Sequence, residues 1–216
     1  MFRPMHISID HKFQFIHVPK TAGATIAKVL APYCEERSAV TSWRRLMTKV
    51  PVRENYSKAL IKKHYTARWS RIKLGRRLYD DLFSFAFVRN PFDRMVSRYE
   101  YIRNEHLHHR HEDVVRMDFS QFLIWEASRN SFKLRDQASC ICDFAGNVII
   151  DEIYRFEDLN EGVRRMTQRI GIPTPDKIGW ENKQDRMPYA DYYKPADIDR
   201  VAQTFRRDLK LLHYDF

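Results

Sequence analysis

One pattern, present twice, constrains this 216-residue chain more than any other: an apolar, β-forming run that stops in a short loop and restarts as a helix. The first copy reads Phe13-Gln14-Phe15-Ile16-His17-Val18-Pro19-Lys20-Thr21-Ala22-Gly23-Ala24-Thr25-Ile26. The second runs from Phe83 to Val88, turns at Arg89-Asn90-Pro91 and continues as a helical pattern carrying Ser97. A strand that feeds a tight loop opening a helix aims several backbone N–H groups at one point, where the helix dipole favours an anion. Strands alternating with helices call for a parallel sheet covered on both faces, and such sheets bind ligands beyond the carboxyl ends of their strands. The fold expected is therefore α/β, a three-layer sandwich in one domain spanning 1–216, a length able to bury one substantial core.

Hydrophobic periodicity places further strands at 148–154 and, less regularly, within 56–65, and helices at 24–32, 67–82, 92–103, 119–128, 159–170 and 198–212. Met95, Val96, Tyr99 and Ile102 repeat at helical spacing and are expected in the core. Gly171 and Pro173 end the 159–170 helix. Residues 35–57 mix charges, Trp43, Pro51 and Asn55 without a period and read as helix fragments and loop.

Lys20 is the lysine of the first loop. It precedes Gly23, and no second glycine frames it, so the nucleotide-binding pattern G-x-x-x-x-G-K-[ST] is a poor match. The segment 17–25 instead resembles the 5′-phosphosulfate loop of sulfotransferases that use 3′-phosphoadenosine 5′-phosphosulfate (PAPS), in particular their carbohydrate branch of the heparan 2-O- and chondroitin type. The second copy is similar to that family's 3′-phosphate motif, with Arg89 at the strand end, Pro91 in the first helical turn and Ser97 about two turns on. Arg89 can grip a phosphate through two N–H groups, and Ser97 can add a hydroxyl. The run Asp151-Glu152-Ile153-Tyr154-Arg155-Phe156-Glu157-Asp158-Leu159 and the tail 182–216 resemble later parts of the same family.

The resemblance implies a sheet of the P-loop nucleoside-triphosphate-hydrolase type. It also implies transfer of a sulfuryl group from PAPS to a hydroxyl of a carbohydrate or lipid-linked glycan, with 3′-phosphoadenosine 5′-phosphate (PAP) as product. Pro19, Lys20, Thr21, Ala22, Gly23, Ala24 and Thr25 would hold the phosphosulfate, Arg89 and Ser97 the 3′-phosphate, and Lys183, beside Asn182, would approach the nucleotide. In-line sulfuryl transfer rests on positioning and electrostatics, by analogy with phosphoryl transfer, and its leaving group requires no metal. The acceptor must lose a proton, and His64, in Lys62-Lys63-His64-Tyr65-Thr66, is the candidate base. Glu35, Glu36 and Glu54 are its substitutes, and His17 is expected to pack or hydrogen-bond at the strand end.

Composition narrows the partners. Lys plus Arg number 38 against 28 Asp plus Glu, a formal net charge of +10, which favours an anionic acceptor glycan or an anionic membrane surface met peripherally. The basic stretch 58–77, interleaved with Tyr65 and Trp69, lacks any helix-turn-helix, zinc-finger or RNA-recognition signature, so nucleic acid is not an expected partner. Three cysteines, Cys34, Cys140 and Cys142, fit reduced thiols in a cytoplasmic protein, and no run is apolar enough to span a membrane. The histidines of 105–112 match no zinc spacing and read as an exposed loop that titrates near neutrality. Two other classes compete with the transferase. A kinase or nucleotide hydrolase would need the framed glycine loop, and a non-catalytic glycan binder could keep the fold without the chemistry.

Overall fold

The computed structural model describes residues 5–34, 50, 51, 53, 61–129, 136–179 and 186–216. Two compact units emerge, one comprising Met1–Val88 and Gln137–Glu181, the other Arg89–Asp136 and Asn182–Phe216.

The first unit holds a four-stranded sheet in the order β1 (Ile7–Ser8), β2 (Phe13–Phe15), β3 (Phe83–Val88) and β4 (Glu152–Arg155). β2, β3 and β4 run parallel, with Phe13 opposite Phe83 and Phe87 opposite Tyr154, while β1 is antiparallel to β2. Alternation along the strands sorts side chains onto two faces. Phe13, Phe15, Phe85, Phe87 and Tyr154 turn to one face, where they pack with Ile26 and Leu30 of α1 (Gly23–Leu30) and Leu159, Val163, Met166 and Ile170 of the helix Leu159–Ile170. Full burial of each such side chain stabilises by roughly 1.5–3 kcal/mol.

The opposite face carries Gln14 and Ser84, both buried and both bonded. Ser70 Oγ donates to Gln14 Oε1 at 2.8 Å, and Gln14 Nε2 donates to the Tyr79 carbonyl at 3.4 Å. Asp151 accepts from Ser84 N and Oγ at 2.7 and 2.6 Å. Ser70 and Tyr79 belong to α2 (Ala67–Leu74) and α3 (Arg76–Asp81), so helices cover both faces of a mostly parallel sheet, as the alternating pattern requires. In this chain-order numbering the later helices are α4 (Pro91–Asn104), α5 (His111–Val114), α6 (Phe119–Ser128), α7 (Ala138–Ile141), α8 (Leu159–Ile170), α9 (Pro195–Thr204) and α10 (Arg206–Leu212).

The second unit is helical. Met95, Val96, Tyr99 and Ile102 of α4 are buried with Phe119, Phe122 and Leu123 of α6 and Val201 and Phe205 of the tail. Its interior also holds ion pairs. Glu126, fully buried, accepts from Arg98 and from Arg110, and Arg94 faces the buried Asp208 at 3.9 Å.

Strand 83–88 and helices 119–128 and 159–170 lie where their periodicity predicts. The single helix expected over 67–82 is two helices, because Gly75 sits at φ 79°, ψ 153° and breaks the ladder. The helix expected over 198–212 begins at Pro195 and is interrupted at Phe205. The strand expected over 148–154 is shorter, since Val148 forms an isolated antiparallel bridge with Cys142 and regular pairing starts at Glu152. The readings made for 35–49 and for 56–60 fall outside the described residues, and 61–65 carry no strand. Among the described residues no helix is long and apolar enough to cross a membrane.

Candidate active site

The loop after β2 is shaped by its backbone. Lys20 and Ala22 have positive φ, 70° and 61°, while Thr21 and Gly23 between and after them do not. Alternating signs of φ turn successive N–H groups towards one side, the concavity that binds anions. Left-handed geometry at a residue with a Cβ costs on the order of 1–2 kcal/mol, so the surrounding fold must hold the loop in place. Part of that hold is Thr21, fully buried, whose Oγ1 donates to the Val18 carbonyl at 3.0 Å. The loop opens directly into α1, whose first turn has no side-chain cap and no acidic residue. Its leading N–H groups, which intrahelical bonds leave unmatched, thus face the loop with the positive end of the helix dipole.

His17 closes the floor of this loop. Its ring is 6% exposed and stacks on Phe15 with centroids 5.4 Å apart, and a Cβ built on Gly23 would lie 1.9 Å from His17 Nε2. Only glycine at position 23 lets α1 start against the imidazole. Burial, reinforced by His64, Lys63 and His6, holds the His17 pKa well below the ordinary histidine range, so the ring is neutral. Its Nδ1 is buried and has no hydrogen-bond partner among the described residues.

His64 is brought to this place from 47 residues away. Its Nδ1 lies 3.3 Å from the His17 carbonyl oxygen, and the two imidazoles meet edge to face at 4.6 Å. A carbonyl accepts only, so Nδ1 is the donor of this pair and carries a proton. The residue is exposed. His17 and His64 therefore meet in the first unit, at the loop that carries Lys20.

In the second unit, Arg89 is 6% exposed, and its Nε and Nη2 both donate to Asp93 Oδ2 at 2.7 Å. Asp93 also pairs with Arg186 through Oδ1, so one carboxylate lies between two guanidinium groups. Arg186 Nη1 is buried without a partner among the described residues. Asn90 caps α4 by accepting from Phe92 N at 3.0 Å, Pro91 occupies its first turn, and Ser97 sits half-buried about 9 Å further along the axis. Arg186 and Asp93 were not among the residues singled out from sequence. Asp93 was legible as the i+4 partner of Arg89, whereas nothing local marks Arg186, 93 residues from the carboxylate it meets.

Glu35, Glu36, Glu54, Asn182 and Lys183 lie outside the described residues. The histidines of 105–112 form an exposed turn leading into α5, with His106 Nδ1 and His111 Nε2 3.1 Å apart and His111 Nδ1 on the Ile102 carbonyl. Among the described residues no group of three or more His, Cys, Asp or Glu is arranged to hold a metal ion.

An uncharacterized protein of Archaeoglobus fulgidus is 26% identical to this chain over 103 residues, 48% of this chain and 79% of that protein. The crystal structure of a sulfotransferase from Alicyclobacillus acidocaldarius is 18% identical, covering 98% of this chain and 83% of that one with a TM-score of 0.42. The model of the sulfotransferase family matches residues 3–215, nearly the whole length, and the chain belongs to that family.

Proposed function

We propose that this sulfotransferase takes its sulfuryl group from PAPS and delivers it to a hydroxyl of a carbohydrate or lipid-linked glycan, as the carbohydrate branch does. The observation that carries the reading is the loop 18–25, where alternating φ, an uncapped helix start and a buried, neutral imidazole whose Nδ1 has no hydrogen-bond partner among the described residues together make a cradle for an anion. Pro19 to Thr25 hold the phosphosulfate, and Lys20 with the loop N–H groups stabilises charge that builds on the bridging oxygen as the S–O bond breaks. Arg89 and Ser97, together with Arg186, which shares Asp93 with Arg89, receive the 3′-phosphate. His64 Nε2 takes the acceptor proton as the hydroxyl oxygen attacks sulfur, and PAP leaves. The family model runs through both compact units, which supports reading 1–216 as one catalytic domain.

The net charge of +10 favours an anionic acceptor or a peripheral position on an anionic membrane, and we place the enzyme in the cytoplasm. No nucleic-acid partner and no metal enter the proposal.

The test is a melting experiment followed by turnover. PAP is expected to raise the melting temperature in the absence of magnesium, by mass action on the folded state, and ATP is expected to do so far less. An equal response to ATP, or none to millimolar PAP, would overturn the donor assignment. His64→Ala should keep the PAP-induced shift while kcat falls by about 10²- to 10⁴-fold. Acceptors are then found by mass spectrometry of candidate glycans and glycolipids for added SO3.

A further inference from the structure

The cluster at Arg89 holds an element that a simple phosphate clamp does not need, a carboxylate. Asp93 is fixed on the first turn of α4, its side chain 14% exposed, with Arg89 on Oδ2 and Arg186 on Oδ1. Two guanidinium charges and one carboxylate leave the cluster a net charge of about +1, while Arg186 Nη1 is buried with no partner among the described residues. A visiting anion of charge −1 is matched by that balance. An anion of charge −2 feels the same positive balance, but beside Asp93 it sets a second negative charge against the carboxylate with no proton to share, and like charges repel strongly in a poorly solvated setting.

Phosphate and sulfate esters respond differently to such a site. A phosphate monoester has a second pKa of about 6, so it can present one negative charge and one O–H. A sulfate monoester of the same shape and charge has no proton to offer. Asp93 can accept a hydrogen bond from the first and only repels the second.

We propose that Asp93 makes this site select a phosphate ester that keeps its last proton, and reject both the phosphate dianion and the isosteric sulfate ester. The proposal rests on the reading of Arg89 as a phosphate ligand and deepens it. A donor with a phosphate at one end and a sulfate at the other is thereby sorted, because its sulfate-bearing end is refused at Arg89. The charged and titratable groups around Asp93 are Arg89, two residues before its helix, and Arg186 and Tyr193 from the tail, with Tyr189 and Asp197 beyond Tyr193. Burial pushes the Tyr193 hydroxyl above the ordinary tyrosine range, so it keeps its proton near neutrality.

The experiment is calorimetric titration of the whole protein with adenosine 3′-phosphate and adenosine 3′-sulfate between pH 6 and pH 8. Wild type is expected to bind the phosphate ester at least tenfold more tightly than the sulfate ester at pH 6. Its affinity for the phosphate should then fall about tenfold per pH unit as the proton is lost. Asp93→Asn, with its larger positive balance, should bind the sulfate ester better than wild type and hold the phosphate as tightly at pH 8 as at pH 6. Equal binding of the two esters by wild type, a phosphate affinity that rises with pH, or no binding of either ester overturns the proposal. So does an Asp93→Asn profile unchanged from wild type. Should Asp93→Asn fail to fold, the two wild-type comparisons still decide. Phosphate-ester binding with the expected pH profile but no thermal response to PAP would sink the PAPS reading and leave this selectivity standing.

Discussion

In the function proposed above, the loop at 18–25 and the cluster at 89–97 meet the same kind of ligand with opposite materials. The loop offers main-chain N–H groups, set by two left-handed residues and a glycine, and of its side chains only Lys20 brings a charge. The cluster offers side chains, two arginines balanced against one aspartate. A main-chain cradle is indifferent to many substitutions but intolerant of a Cβ in the wrong place. A side-chain clamp tolerates backbone adjustment but reads charge and shape closely.

The largest effect expected from that contrast is at Gly23. A methyl group there collides with the buried His17 ring, so Gly23→Ala should abolish the PAP-induced rise in melting temperature and lower stability by about 1–3 kcal/mol, measured by denaturant unfolding. Adding His17→Ala should restore part of both, and a Gly23→Ala protein that still binds PAP normally would refute the main-chain cradle. Next comes Arg89→Ala, expected to weaken PAP binding about 10- to 100-fold by calorimetry while leaving the loop's response to inorganic pyrophosphate intact. Arg89→Lys should recover little, because an ammonium lacks the fork that both donors to Asp93 use.

The acid limb of stability separates the units further. His17 lies well below its ordinary pKa and His6 is lowered to about 4, chiefly by burial, so the unfolded chain binds more protons than the folded one as pH falls below about 6.5. Stability is therefore complete above that pH and declines towards pH 4. The melting temperature should drop several degrees over that range, less so in His17→Gln. A slope unaffected by His17→Gln would remove His17 as its source. The smallest effect is Thr21→Val, which loses the bond to Val18 and should cost about 1 kcal/mol, or roughly 2–4 °C, with Lys20 still in place.

Elements with a strong, uninterrupted period were legible in the chain. Phe83–Val88, Phe119–Ser128 and Leu159–Ile170 needed only alternation, a cap or a terminal glycine to be bounded. The errors arose where one backbone angle overrode a helical pattern, at Gly75 and Phe205, or where pairing depended on a distant partner, as for the two-residue β1 and for Val148 on Cys142. The candidate site divides the same way. Lys20, Gly23 and Arg89 are marked by their place after a strand, whereas the fit of His17 against Gly23 and the meeting of Arg186 with Asp93 exist only once the chain has folded.

Strand β4 bounds the sheet on the side away from β2, pairing only with β3 among the described strands. Such a margin is where another molecule could add its own strand and begin a polymer. Here it is short and begins and ends in charge, Glu152 and Arg155, with Arg165 reaching Glu152 at 3.5 Å. Charge there keeps concentrated protein from stacking edge to edge, so neutralising those two positions should first show itself as turbidity on storage, before any loss of catalysis.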